Sequence, residues 1–150
     1  MDVVKIRIEK CKENANLPEY KCYGDAGADV CAAINVPVEL APGERRIIPT
    51  GLKCEIPFGY EIQVRPRSGL SAKNGITVLN TPGTVDSKYK DEIGVILINT
   101  SKETFIVNPG DRIAQFVVTP VTYAEFSFVD EIDKSDNRGG GFGHTGVNNG

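Results

Sequence analysis

Arg138-Gly139-Gly140-Gly141-Phe142-Gly143-His144-Thr145-Gly146 sets a guanidinium, an aromatic ring, an imidazole and a hydroxyl on a run of glycines. Glycine adopts positive φ without penalty and lets a backbone come close to a ligand. Arginine forms paired hydrogen bonds with phosphate, and a phenyl face suits a planar base. Successive bare N–H groups can form an anion-binding nest. The pattern suits closure over a phosphorylated ligand that carries a base. Taken alone, it is more simply the Gly- and Asn-rich end of a chain.

Two further segments carry chemistry. In Asn80-Thr81-Pro82-Gly83-Thr84-Val85-Asp86-Ser87-Lys88-Tyr89, exposed main chain could read the edge of a nucleobase, and the Asn80 amide both donates and accepts. Asp86 could serve as a general base, and the Tyr89 ring could pack on a sugar. The plainer reading is a surface turn in which Asp86 serves the turn itself. In Arg67-Ser68-Gly69-Leu70, Ser68 can cap a short helix whose N-terminus offers unpaired N–H groups and partial positive charge to a phosphate. Arg67 adds a formal charge beside them. A structural loop-to-helix transition explains the same residues equally well.

These groups need a frame. Val4 to Glu9 alternates with period two, and short β-rich runs recur at Val36–Leu40, Ile47–Pro49, Lys53–Ile56, Glu61–Arg65, Thr77–Leu79, Gly94–Asn99, Thr104–Val107 and Arg112–Val118. Ala41-Pro42-Gly43-Glu44 and Asn108-Pro109-Gly110-Asp111 punctuate them as turns. The second chemical segment reads as a hairpin, with one strand ending near Asn80 and its return beginning at Ile93. The one helix expected is Leu70–Lys73, stopped by Gly75. Many short strands at close spacing predict an all-β sandwich, jelly roll or barrel.

Composition narrows the function. One domain of 150 residues can bury a real core, and 40% apolar with 25% charged residues is ordinary for a globular chain. A net charge of −3 argues against general affinity for nucleic acid or an anionic membrane, so a polyanionic ligand requires a local cluster of donors. No apolar run approaches a membrane span, and Met1-Asp2-Val3-Val4-Lys5 does not begin like a signal peptide, so a cytoplasmic location is expected. Cys11, Cys22, Cys31 and Cys54 lack Cys-x-x-Cys spacing, and His144 is the only histidine. That excludes the usual zinc patterns, argues against a Ser-His-Asp apparatus, and leaves free thiols as the expectation.

Five segments occur in one order: Ala26-Gly27-Ala28-Asp29, Arg67-Ser68-Gly69-Leu70, Gly83-Thr84-Val85-Asp86-Ser87-Lys88-Tyr89, Gly110-Asp111-Arg112-Ile113-Ala114-Gln115, and Arg138 through Gly146. Together they span nearly the whole chain, which resembles the trimeric dUTP pyrophosphatases (dUTPases). The resemblance implies a distorted jelly roll with one short helix, assembled as a homotrimer with active sites shared between subunits. It implies hydrolysis of dUTP to dUMP and pyrophosphate by water attack at the α-phosphorus. That reaction limits uracil incorporation into DNA and supplies dUMP for thymidylate synthesis. In such a site Asp86 activates the water and Gln115 helps position it. Asn80 and main chain at Thr84, Val85 and Gly94 read uracil, while Tyr89 stacks on deoxyribose and excludes a 2′-hydroxyl. Arg67, Ser68 and Gly69 hold phosphates, and Asp29 acts on Mg2+ through water rather than as a direct ligand. Arg138, Phe142, Gly143, His144 and Thr145 close over the nucleotide.

Residues 1–137 then form the β domain and 138–150 the closing tail. A eukaryotic or viral source would allow a nuclear location. Three departures stand out: Lys88 where an acidic residue is common, Lys90-Asp91 after the tyrosine, and Thr84 in place of a larger aliphatic. The rival dCTP deaminase reading lacks its carboxylate, since Ser68 through Asn74 contains none. A non-catalytic nucleotide sensor on the same fold conflicts with the presence of Asp86, Gln115 and Arg138.

Overall fold

The computed structural model describes residues 1–149, so Gly150, the last residue of the expected tail, lies outside the described residues. Among these, eleven strands and one helix follow in order: β1 (Arg7–Lys10), β2 (Ala28–Cys31), β3 (Val38–Leu40), β4 (Arg45–Pro49), β5 (Leu52–Glu55), β6 (Tyr60–Arg65), α1 (Ser68–Asn74), β7 (Ile76–Val78), β8 (Gly83–Val85), β9 (Gly94–Asn99), β10 (Phe105–Val107) and β11 (Arg112–Pro120). Every pairing is antiparallel. A four-stranded sheet runs β2-β11-β6-β8 and a three-stranded sheet runs β4-β9-β7, flanked by the pairs β1-β5 and β10-β3. This is the all-β jelly-roll arrangement with one short helix.

Alternation explains most of these strands. In β9, Val95, Leu97 and Asn99 face inward while Gly94, Ile96 and Ile98 are half-exposed, and in β6 Ile62 and Val64 turn in. They join Val30, Leu40, Ile48, Leu52, Ile76 and Val107 in one core. Buried Asn99 is the polar exception. Its amide donates to the carbonyls of Leu40 and Glu103, at 2.9 and 2.7 Å, and its carbonyl oxygen accepts from Ser101. A buried amide so satisfied pins the β9 end instead of destabilising it. Both expected Pro-Gly turns form, with Glu44 N donating to Ala41 O and Asp111 N to Asn108 O.

Several expectations need correction. Val4 to Ile6 lie outside a strand, because β1 pairs only as far as Glu55, after which its partner turns away at Pro57. β2 escapes an alternation search because Ala28, Asp29 and Val30 are all buried. The region from Asn80 to Ile93 is more than a turn. β7 and β9 do pair, but the chain between them contributes β8 to the other sheet, against β6. Ser68 is the first helical residue rather than the cap. Arg67 occupies the cap position in extended conformation without a side-chain cap bond, because its guanidinium is engaged elsewhere. Gly75 ends the helix in left-handed conformation, as expected.

After Pro120 the framework stops. Val121 N still donates to Gly59 O, but no hydrogen bond ties residues 122–149 to the body among the described residues. The sequence-based boundary at 137/138 therefore leaves 122–137, with exposed Tyr123, Phe126 and Phe128, on the β-domain side of the line without a sheet to join.

Candidate active site

The four-stranded sheet places one cluster. Asp29 on β2 lies beside Gln115 on β11, which in turn lies beside Arg65 on β6. Asp29 is only 5% exposed, and a buried carboxylate requires partners. It has three: Arg112 Nη1 at 3.2 Å, Arg67 Nε at 3.4 Å, and the Gln115 amide, donating at 3.2 Å. Arg67 Nη1 also donates to the Arg112 carbonyl at 3.2 Å. Gly27 leaves room for this placement of Gln115, because a Cβ there would lie 2.9 Å from its Oε1 and make the side chain shift. The outcome is two guanidinium groups and an amide gathered at one edge, balanced by a single carboxylate. Ser68 and Gly69 stand exposed beside it, with open space around Gly69.

Arg112 is the residue that reasoning from single positions passed over. It sits within a quoted segment, yet only the structure shows it holding Asp29. Cys31 borders the same cluster, opposite Arg112 in the β2–β11 register. Burial raises its thiol pKa against the opposing pull of the Arg112 charge.

The second group occupies β8 and the loop behind it. Val85 is buried against the core, so the neighbouring Thr84 and Asp86 face outward. Gly83 lets β8 lie close on β6, since a Cβ there would meet Val64 Cβ at 3.1 Å and Asn80 Nδ2 at 3.5 Å. Tyr89 N donates to Asp86 O at 3.0 Å, and Tyr89 Oη donates to the Glu92 carbonyl at 2.8 Å. Lys90 Nζ donates to Ser87 O, so one of the departures staples the loop. Gly94 has a packing reason of its own, because a Cβ would press within 2.5 Å of Ile47 Cγ2. Asp86, Ser87 and Lys88 line an open cavity of about 550 Å³ with Phe58, Tyr60 and Tyr123.

The two groups do not meet within one chain. Gln115 is level with Arg65 of β6, while Asp86 follows Val85, which is level with Ile62. About four residues along the strands and two strand spacings across separate them, roughly 13 Å by 10 Å. The third group joins neither. Arg138, Phe142, Gly143, His144 and Thr145 are exposed and held only by local turns, His144 N to Gly141 O and Gly146 N to Gly143 O. Gly140 makes room for that turn, since a Cβ would collide with the His144 ring.

Residues 13–146 match the family model described as dUTPase. The chain is 59% identical over 132 residues to the deoxyuridine 5′-triphosphate nucleotidohydrolase of Chlamydia pneumoniae, covering 87% of this chain and 91% of that protein. It is 54% identical over 138 residues to the Treponema denticola protein of the same name, covering 92% and 96%. Among solved structures, a Staphylococcus bacteriophage 80alpha dUTPase mutant with dUpNHpp superposes with a TM-score of 0.83 at 27% identity, covering 95% of this chain and 99% of that one. The dUTPase from phage phi11 of S. aureus gives 0.78 at 27% identity, covering 86% and 98%.

Proposed function

The chain belongs to the dUTPase family, and from that premise we propose how its residues divide the hydrolysis of dUTP to dUMP. The reaction releases pyrophosphate, and water attack at the α-phosphorus is the route adopted here. Such a displacement needs positioning and charge stabilisation far more than covalent help from the protein. Arg67, with Ser68 and Gly69, binds the phosphates, and Gln115 positions the water or a phosphate oxygen. Asp86 accepts the proton of the attacking water. Asn80 and the main chain at Thr84, Val85 and Gly94 read uracil, and Tyr89 occupies the space a 2′-hydroxyl would need. Arg138, Phe142, Gly143, His144 and Thr145 close over the bound nucleotide and exclude water.

Magnesium suits this donor set only as an ion carried by the substrate. Both Asp29 oxygens already face Arg112, Arg67 and Gln115, which leaves the carboxylate able to contact a metal-bound water but not to serve as a bare ligand. Mg2+ commonly keeps several waters and binds through substrate phosphates, where it neutralises developing charge. Arg67 and Arg112 supply fixed positive charge to the same region.

One observation carries the shared-site reading: within a single chain Gln115 and Asp86 lie roughly 13 Å apart along the strands and 10 Å across them, too far for both to act on one water molecule. A homotrimer resolves this by setting the Asp86 loop of one subunit against the Asp29 cluster of the next. Tyr123, Phe126 and Phe128 are exposed apolar side chains that association would cover.

Activity and assembly are tested together. Pyrophosphate release is measured from dUTP, dCTP, dTTP and UTP, with ammonia release from dCTP in parallel, and light scattering reports the mass at micromolar concentration. The expected result is turnover of dUTP alone by a particle three times the chain mass. A monomer with full activity would overturn the shared site, and ammonia from dCTP would overturn the reaction.

A further inference from the structure

We propose that Glu92 is a positioning residue that sets the Tyr89 ring, and through it the preference for deoxyribose over ribose. The inference rests on reading Tyr89 as the sugar gate. It begins at the turn between β4 and β5. Gly51 there has φ +72°, and a Cβ would lie 2.6 Å from Ala15 Cβ, so only glycine fits this turn. Its carbonyl accepts from Cys11 N at 2.8 Å. Its N–H donates to Glu92 Oε2 at 2.8 Å, and Lys12 Nζ pairs with Glu92 Oε1 at 3.1 Å. One carboxylate thus spans two anchors on the body.

The neighbouring residue is gripped by the same turn. Thr50 Oγ1 donates to Ile93 O at 2.6 Å, and Ile93 N donates to Leu52 O at 2.9 Å. From this fixed point the order passes backward along the loop. The Glu92 carbonyl accepts the Tyr89 hydroxyl, and Tyr89 N reaches Asp86 O. Tyr89 is itself exposed and Asp86 has no side-chain hydrogen bond among the described residues. Asp86 is held from one side by buried Val85 of β8, while the Tyr89 hydroxyl is placed by what holds residue 92. Charge-assisted acceptance from a backbone N–H is among the stronger hydrogen bonds available, so the carboxylate is the chemically suitable grip.

A purely structural Glu92 would matter for stability alone, and the experiment separates the two roles. The full-length protein is assayed with dUTP and UTP as wild type, Glu92→Ala, Glu92→Gln, Lys12→Met, Tyr89→Phe and Tyr89→Ala, with a melting curve for each. Glu92→Ala should lower the dUTP-to-UTP ratio of kcat/KM about tenfold, since small misplacements near a reacting group can cost up to 10²-fold. Most of that change should appear as a raised KM for dUTP and improved use of UTP. Glu92→Gln keeps an acceptor for Gly51 N–H and should retain the ratio within about threefold, as should Lys12→Met, which spares that bond. Tyr89→Phe cuts the tether itself, so adding Glu92→Ala to it should change the ratio little further.

An unchanged ratio in Glu92→Ala, with the ratio collapsed in Tyr89→Ala, would overturn the proposal while leaving the sugar gate intact. An unchanged ratio in Tyr89→Ala would instead overturn the gate. Should Glu92→Ala fail to fold, Glu92→Asp decides the matter, because its shorter carboxylate withdraws from Gly51. A lowered ratio there supports the proposal and a wild-type ratio refutes it.

Discussion

The body up to Pro120 and the chain beyond it hold functional groups by opposite means. In the body the framework around these groups is fixed by neighbours. Asp29 is buried under Arg67, Arg112 and Gln115, Val85 anchors β8 in the core, and Glu92 ties the Asp86–Tyr89 loop to the Gly51 turn. Beyond Pro120, Arg138, Phe142 and His144 have only local turns among the described residues. The ordering cost of the body is met once, when it folds. If the tail closes over the nucleotide as proposed, its cost falls due with each nucleotide bound, at about 1–2 kcal/mol per residue fixed. The proposed function thus keeps positioned chemistry and closing chemistry on separate parts of the chain.

The largest effects come from removing one group on each side of that divide. Asp86→Asn keeps the shape but takes no proton, and should cut kcat about 10²–10⁴-fold with nucleotide binding largely retained. Deleting the chain from Arg138 should also cut turnover severely, since triphosphate alignment and water exclusion are lost together. Steady-state kinetics on both variants, with melting curves, tests the division. Full activity in the truncation would reduce the tail to an inert chain end. Near-wild-type turnover in folded Asp86→Asn would remove Asp86 as the base.

Stability should divide the same way. Leu97 is fully buried on β9, and Leu97→Ala should cost about 2–5 kcal/mol by leaving a cavity. Phe142 is wholly exposed, so Phe142→Ala should leave denaturant unfolding unchanged while raising KM. Destabilisation by the Phe142 variant would mean that the tail packs on the body without nucleotide.

The sequence was most legible where one physical rule acted alone. Alternation marks β9 because only one of its faces is buried, and Pro-Gly turns declare themselves locally. β2 stayed hidden because burial on both faces erases alternation, and Asp29 in its middle looks unsuited to a strand until Arg67 and Arg112 are seen beside it. β8 is hard to see in the sequence because its three residues pair with β6, in a sheet that the neighbouring β7 does not join. The candidate site was legible residue by residue through its ordered motifs. The Arg112–Asp29 contact and the Glu92 clamp were not, because they join positions 83 and 41 residues apart. A sequence read on its own carries no sign of such pairings.

Proteolysis gives a finer measure of the divide. Trypsin should cut free protein first after Lys134 and Arg138, which lie on exposed chain outside any sheet, and leave the body whole. A non-hydrolysable dUTP analogue with Mg2+ should slow the Arg138 cut severalfold if the guanidinium engages phosphate. Equal rates with and without the analogue would detach Arg138 from the site.

The smallest effect is a reading of the body's own opening. All four cysteines lie in the body and are free: Cys11 and Cys22 exposed, Cys31 half-buried, Cys54 buried. Burial pushes the Cys54 thiol up to about 11, from 9.0. The thiolate is the reactive form, so Cys54 resists a thiol reagent at pH 8 on two counts, access and protonation. Cys11 and Cys22 should label promptly in native protein, and Cys54 only as fast as the body opens. The pH dependence has a definite sign. Folded Cys54 keeps its proton where the unfolded thiol loses it, so its contribution to stability is complete below about pH 9. That contribution should drain as pH rises toward 11. Cys54→Ala should flatten this alkaline loss in denaturant unfolding measured across that window. Cys54 labelling should slow when the nucleotide analogue stabilises the folded protein, but stay unchanged when residues 138–150 are deleted and no analogue is present. Faster labelling in that truncation would show the tail bracing the body before any nucleotide arrives, and the two regions would then have to be treated as one.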